Sequence, residues 1–508
     1  MKEKQHKYYV QTFGCQMNKN DSERVSSLLN SLDLEKVEKP EEADLIVVNT
    51  CSVRQSAEDR VFGMIKNWQK LRKEKPNLII AVTGCMPGRD HEGKIKDKIP
   101  GVDLWFGIDS LIQLPKWLEG LAILPLSKGE LEGVAKDYLQ INPSRDNNTQ
   151  VFISIQTGCD NFCTYCVVPH ARGRERNRTL KSILKEIKIA VGDGAKEITL
   201  LGQVVNNYKA SDLENFSKDN PYTKHTPNPS QEGNSLLEEG REVLVKDHFA
   251  ALLWEINQID GEFRIHFTAP DPQHFSLEQV KALSLPKQVN FLHIPVQSGD
   301  DEILKKMNRH YTSEEYIDLI KKIRKQKPDI AIATDIIVGF CDEGEKEFEN
   351  TVKMYKECDF DISYNAKYSE RSGTTAAKVL SDNVSIEDKK KRWFILQDLM
   401  EETTLRKNQK YLDKEVRVLV SNCEQVLPLS KGELDLSRSE LVWEGVANKG
   451  EKANPSQPPL GKGRSCVCSG NSDEMKIVQF VGDSDMIGTF QKVKITQALM
   501  WILKGKLV

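Results

Sequence analysis

Between Val151 and Ser369 short apolar runs alternate with longer amphipathic stretches six times over. The runs are Phe152–Gln156, Glu197–Leu201, Arg264–Thr268, Phe291–Val296, Ala331–Val338 and Ile362–Tyr368. Their length and apolar content predict buried strands, and the stretches between most of them predict helices. Ser313–Gln326 is the clearest helix, with Thr312 and Glu315 spaced for a capping box. Six strand–helix units predict an open or partial (β/α)6 barrel, in which ligands gather at the C-terminal ends of the strands.

The same alternation occupies the N-terminal region. Tyr8–Phe13, Leu45–Asn49 and Leu78–Thr83 read as strands, Asp21–Leu32 and Ala57–Lys73 as helices, the first opened by Asn20 and Glu23 as a capping box. This predicts a doubly wound parallel sheet with helices on its faces. After a helix predicted over Ile386–Tyr411, strands at Glu415–Val420, Met475–Phe480 and Gln491–Thr496 predict a small β-barrel. The expected division is therefore 1–118 for the N-terminal domain, 119–148 for a linker, 149–395 for the partial barrel and 408–508 for the β domain.

Three segments break these patterns and resemble one another. Leu124-Pro-Leu-Ser-Lys-Gly-Glu-Leu131 recurs as Leu427-Pro-Leu-Ser-Lys-Gly-Glu-Leu434, and Asn-Pro-Ser appears at Asn142–Ser144, Asn228–Ser230 and Asn454–Ser456. Copies that are neither adjacent nor evenly spaced do not make a solenoid. They read as in-frame inserts at about Leu121–Asn148, Asp219–Glu242 and Glu424–Arg464, and their Pro, Gly, Ser and charged residues predict disordered surface loops.

Eleven cysteines and no secretion-like N-terminus point to a cytoplasmic chain that uses thiols for metal or redox chemistry rather than a disulfide framework. Apolar runs such as Leu45–Val48 and Leu78–Val82 are far too short to cross a bilayer. The net charge of −3 provides no global attraction to nucleic acid, so any such contact must come from local basic patches.

The most specific chemical signal is Cys159-Asp-Asn-Phe-Cys163-Thr-Tyr-Cys166, directly after the first barrel strand. Three close thiolates can ligate three irons of a [4Fe–4S] cluster, leaving one iron for a chelating substrate such as the amino and carboxylate groups of S-adenosylmethionine. A zinc site at this spacing lacks a fourth ligand other than His170. Cys15, Cys51 and Cys85 each follow one of the three N-terminal strands, about one strand–helix–strand repeat apart. Parallel strands end on one edge of their sheet, so these thiols can converge there as a second metal centre. Cys341, Cys358, Cys423, Cys466 and Cys468 have no such placement, although Cys466-Val-Cys468 has a metal-ligand spacing. Arg172, Arg174, Arg176 and Arg178 alternate after the cluster loop and could hold nucleic-acid phosphates or form salt bridges on a solvated face.

Gly14-Cys-Gln-Met-Asn18, Asn49-Thr-Cys-Ser-Val-Arg54, Gly158-Cys through Pro169, Gly173-Arg-Glu-Arg176, Leu200-Leu-Gly-Gln203 and Leu292–Gly299 resemble the bacterial tRNA methylthiotransferases, most closely the MiaB-type branch. The resemblance covers nearly all of the chain outside the inserts, and the C-terminal β region is similar to the RNA-binding TRAM domain. It implies that Cys159, Cys163 and Cys166 hold a radical-generating [4Fe–4S] cluster, and Cys15, Cys51 and Cys85 an auxiliary one that carries the transferred sulfur. It implies two uses of S-adenosylmethionine, as methyl donor and as source of a 5′-deoxyadenosyl radical. Gln203 and Glu343 would contribute to cofactor binding. The implied substrate is carbon 2 of N(6)-isopentenyladenosine in a tRNA anticodon loop, the electron donor a flavodoxin or ferredoxin, and the state a monomer. A ribosomal protein, a different modified adenosine, or an RNA-binding role without catalysis are the alternatives. Two departures stand out: Gly339-Phe-Cys-Asp-Glu-Gly344 replaces the family's Gly-Phe-Pro-Gly-Glu-Thr, and His170-Ala171 replaces Tyr-Thr.

Overall fold

The computed structural model describes residues 5–52, 55–121, 137–145, 148–227, 241–425 and 466–508. The chain divides into two compact units, Met1–Met400 and Glu401–Val508.

The N-terminal sheet contains β1 (Lys7–Thr12), β2 (Glu35–Lys36), β3 (Leu45–Thr50), β4 (Ile79–Gly84) and β5 (Leu104–Trp105), all parallel in the order β2-β1-β3-β4-β5. Alternation along β3 and β4 explains why both are apolar throughout. Leu45, Val47, Ile79 and Ala81 join Val25, Leu28 and Leu29 of helix α1 (Gln16–Ser31) on one face. Ile46, Val48, Ile80 and Val82 join Val61, Ile65 and Trp68 of helix α2 (Gln55–Leu71) on the other. The doubly wound expectation therefore holds. Helix α1 starts earlier than predicted. Gly14 turns the chain at φ 127° and the helix begins after Cys15, so Asn20 is an interior residue and not a cap.

In the central region β6 (Gln150–Ser154) is followed by the short pair β7 (Gln156–Thr157) and β8 (Arg176–Asn177), then β9 (Glu197–Leu201). A hairpin, β10 (Thr223–Pro227) and β11 (Arg241–Val245), precedes β12 (Arg264–Phe267), β13 (Phe291–His293), β14 (Ala331–Val338) and β15 (Ile362–Lys367). Two parallel sheets, β12-β9-β6 and β13-β14-β15, make up the partial barrel and contain all six predicted strands. The capping box at Thr312 and Glu315 is present.

The second unit holds a closed five-stranded barrel of β16 (Glu415–Gln425), β17 (Cys466–Ser472), β18 (Ile477–Gly482), β19 (Phe490–Ala498) and β20 (Ile502–Leu507), ordered β16-β17-β18-β20-β19. Its core is built from alternate residues, including Val416, Val418, Val420, Val478, Phe480, Val493 and Ile495. Cys423 and Cys468 lie opposite each other across β16 and β17 and form a disulfide. This departs from the expectation that the thiols serve metal or redox chemistry rather than disulfides, because ladder register joins two residues 45 positions apart.

Most of the three repeat-bearing segments, with both eight-residue copies, lies outside the described residues. Their predicted limits need correction where they are described. Tyr138, Leu139 and Ile141 are core residues of the N-terminal region, Pro143 is buried, and the Ser144 N–H donates to the Glu23 carbonyl at 3.0 Å. The first Asn-Pro-Ser is thus integrated structure. Likewise Thr223–Pro227, within the expected second loop, pairs as a strand with Arg241–Val245, which crosses that loop's predicted end at Glu242.

Candidate active site at the strand ends

The parallel register Asn49↔Thr83 and Thr50↔Gly84 brings the C-terminal ends of β3 and β4 level, with Thr12 of β1 opposite Asn49. Cys15, Cys51 and Cys85 follow these ends by one to three residues, on the predicted edge. Gly14 at φ 127° and Gly84 at φ 95° sit where the loops nearly touch. A Cβ on Gly14 would lie 2.6 Å from the Cys51 Cβ, and one on Gly84 would overlap the Thr50 carbonyl oxygen. Asn18 Nδ2 donates to Asn49 Oδ1 and to the Thr50 carbonyl, both at 2.9 Å, and Asn49 Nδ2 returns a bond to the Asn18 carbonyl at 2.8 Å. These bonds pin the start of α1 to the end of β3. Arg89 binds Glu58 at 2.6 Å and also Ser52, bracing the segments after Cys51 and Cys85. Cys51 and Cys85 are buried and Cys15 is exposed. Burial pushes the Cys85 thiol up, against the pull of the neighbouring Arg172 guanidinium.

The second triad lies on the loop after β7. Cys159 N–H donates to the Gly173 carbonyl at 3.1 Å and Cys166 N–H to the Cys163 carbonyl at 2.9 Å. The loop is clasped by residues 306–309: Thr164 N–H donates to the Met307 carbonyl at 3.0 Å, and Asn308 Nδ2 to the Asn161 carbonyl at 2.9 Å. Arg309 Nη1 donates to Cys163 Sγ at 3.3 Å, while Asp271 holds the same guanidinium at 2.9 Å. Burial pushes the Cys159 thiol up to about 11 and the Cys166 thiol up to about 12, so the bare thiols are protonated at neutral pH. Among the described residues no three Cys, His, Asp or Glu groups close on one point as a single metal ion would need.

Sequence reasoning missed Arg309 and Asp271. They stand 146 and 108 residues from Cys163, and only the fold puts them beside it.

The four arginines separate. Arg174 is exposed beside Asp160, with its guanidinium 5.6 Å from the Phe162 ring centroid, and Arg176 is exposed between Asp109 and Asp137. Arg172 is buried and the Arg178 side chain is 8% exposed, which corrects their assignment as RNA contacts. Arg172 pairs with Asp21 at 2.6 Å, and Arg178 pairs with Glu186 at 2.6 Å. Glu186 also meets Arg145 at 2.7 Å and Arg24 at 3.5 Å. A guanidinium so enclosed has no path to a phosphate.

Gln203 follows β9 at the barrel's strand-end face and is half-buried. Glu343 is buried in the turn after β14, where its Oε1 accepts from the Gly339 N–H at 2.8 Å and from Arg392 at 2.9 Å. These bonds tie Glu343 to its own turn and to Arg392, not to either cysteine triad.

Comparison with known proteins bears directly on this arrangement. The Uncharacterized protein family UPF0004 matches residues 7–107, and the Radical SAM superfamily matches residues 153–355. The tRNA-2-methylthio-N(6)-dimethylallyladenosine synthase of Clostridium botulinum (Langeland strain) is 37% identical over 502 residues, covering 98% of this chain and 96% of its own length. The chain belongs to this synthase family. The synthase of Clostridium tetani is 35% identical over 509 residues, with 98% and 96% covered. The radical S-adenosylmethionine methyltransferase TsrM from Kitasatospora setae, solved with cobalamin and a [4Fe-4S] cluster, shares the fold at TM-score 0.50 and 13% identity over 74% of this chain and 77% of its own. As a radical SAM methylthiotransferase the chain is an enzyme, and its superfamily implies a [4Fe–4S] cluster and S-adenosylmethionine. Among the described residues no helix is long and apolar enough to cross a membrane.

Proposed function

We propose that the protein attaches a methylthio group to carbon 2 of N(6)-isopentenyladenosine in a tRNA anticodon loop, using two [4Fe–4S] clusters. The observation that carries this reading is the pair of cysteine triads, each at the strand-end edge of its own parallel sheet, in a chain similar to the synthases over its full length. Cys159, Cys163 and Cys166 would hold the first cluster and Cys15, Cys51 and Cys85 the second. Cationic donors suit thiolate-bound clusters, which are anionic: Arg309 reaches Cys163 and Arg172 neighbours Cys85. The clusters and S-adenosylmethionine would supply the radical, the sulfur and the methyl group. The chain's own residues fix the loops, keep Cys51, Cys85 and Cys159 from solvent, and receive a base that must leave its stack to be reached. Gln203 at the strand-end face is suited to the cofactor, and a flavodoxin or ferredoxin would deliver electrons. The division into 1–118, 149–395 and 408–508 belongs to the same reading.

The β-barrel favours RNA over a ribosomal protein. Lys492, Lys494 and Lys506 are exposed on it; Arg417 lies opposite Lys492 but is held by Asp473 at 3.0 Å, and Lys494 lies opposite Lys506 on one side and Glu415 on the other. An anionic partner suits the exposed lysines of this face.

The test is metal content. Anaerobically reconstituted protein should bind about eight irons. Replacing Cys159, Cys163 and Cys166 with Ala should halve the iron and abolish S-adenosylmethionine cleavage. Replacing Cys15, Cys51 and Cys85 should halve it while leaving cleavage to 5′-deoxyadenosine. Stoichiometric zinc in either triad would defeat the proposal.

A further inference from the structure

Helix α3 (Cys85–Arg89) starts at the third N-terminal cysteine, and the helix Val168–Arg172 starts two residues after the third cysteine of the other triad. The two touch backbone to backbone: a Cβ on Gly88 would overlap the Ala171 carbonyl oxygen. Arg172, the last residue of the second helix, reaches back into the N-terminal region. Its side chain is 2% exposed, Nη2 binds Asp21 Oδ2 at 2.6 Å, and the buried Nη1 has no hydrogen-bond partner, nor does Asp21 Oδ1. A buried charged donor left unpaired is costly, which points to an acceptor that belongs at this place. Cys85 and Cys15 both interact electrostatically with this guanidinium.

We propose that Arg172 is a positioning residue of the auxiliary cluster, its unpartnered Nη1 donating to a sulfur of the group held by Cys15, Cys51 and Cys85. The inference rests on the two-cluster reading above. It makes the cluster sites one construction, because the residue that steadies the N-terminal cluster is carried on the helix that follows the radical-cluster loop. A cation and a donor beside an anionic cluster stabilise its reduced, more negative state, so they raise its reduction potential. Asp21 anchors the guanidinium and offsets part of that effect.

The experiment uses the full chain with Cys159, Cys163 and Cys166 changed to Ala, so that only the auxiliary site can hold iron. Iron content and the cluster's midpoint potential are read by chemical analysis and EPR-monitored titration, and folding by circular dichroism of the apo-protein. With Arg172 intact this background should bind about four irons. Arg172→Gln should lower the midpoint and lose at least half of the iron, while Asp21→Asn, which removes the anion and keeps the guanidinium, should raise it. A purely structural ion pair predicts that both variants lower apo-protein stability and move the midpoint alike, or not at all, and that result overturns the proposal. Should Arg172→Gln fail to fold, Asp21→Asn decides: a raised midpoint supports the proposal and an unchanged one overturns it. Absence of iron in the Arg172-intact background would remove both this inference and the two-cluster reading, whereas full iron at an unchanged midpoint in Arg172→Gln would remove this inference alone.

Discussion

Asp342 occupies the position where the family has glycine, and its backbone is left-handed at φ 62°. A side chain there costs on the order of 1 kcal/mol, less for Asp than for most residues because a short polar side chain can bond locally. Asp342 does so: its N–H donates to Asn383 Oδ1 at 2.9 Å, its Oδ1 accepts from Asn383 Nδ2 at 2.6 Å, and Lys306 lies 3.0 Å from Oδ2. Asp342→Ala should therefore lose about 1–2 kcal/mol in urea denaturation, and Asp342→Gly clearly less, since glycine recovers the strain while losing the same bonds. Equal losses would show that the backbone is not strained. His266 makes a pH-dependent contribution. It is enclosed on β12, its Nε2 has no hydrogen-bond partner, and burial, with Arg264 and His293 adding, lowers its pKa to about 3. The unfolded chain takes up a proton near pH 6.5 that the folded chain refuses. This contribution is therefore present above about pH 6.5 and lost as pH falls towards 3. His266→Gln should flatten the acid limb of the stability profile between those values, which thermal melts across pH 4–7 would record.

At the scale of the elements, the strand ends determine the site, and Gly84 is where β4 turns into α3. Gly84→Ala imposes a left-handed alanine and an overlap with Thr50, so apo-protein stability should fall by at least about 1 kcal/mol and iron retained at the N-terminal triad should drop, while iron at the other triad stays. Retention of all iron would mean that the loops move apart without consequence. The six barrel strands and β1, β3 and β4 were readable from sequence because each is a short apolar run bounded by polar residues. β17 was not: Cys-Val-Cys-Ser-Gly-Asn-Ser alternates small residues with little apolar contrast, yet it is buried at every second position. The start of α1 was missed because Asn20 and Glu23 imitate a cap, whereas Asn20 is used to bind the Phe152 carbonyl at 3.0 Å and Ser154 at 2.7 Å. All six cysteines of the candidate site were visible in their spacing. Arg309 was not, and Arg172 stood out by its spacing but for a different role, since both acquire partners only through contacts between residues far apart in sequence.

At the scale of the whole molecule, the N-terminal sheet and the partial barrel share one compact unit, and the β-barrel forms another. Within the first unit, buried polar contacts join the regions that hold the two triads: Arg172 to Asp21, Asn20 to β6, and Glu186 to arginines from α1, from residues 137–145 and from the loop before its own helix. Removing one partner of a buried pair leaves an uncompensated charge, so this arrangement holds the two sites in a defined relation. The central claim is the transfer of a methylthio group to tRNA. It is tested most directly by incubating the reconstituted protein with S-adenosylmethionine, a low-potential reductant and isopentenylated tRNA, then digesting the RNA and analysing its nucleosides by mass spectrometry. The account predicts 2-methylthio-N(6)-isopentenyladenosine, formed only when all six cysteines are present. Unchanged isopentenyladenosine from protein carrying both clusters and cleaving S-adenosylmethionine would contradict it.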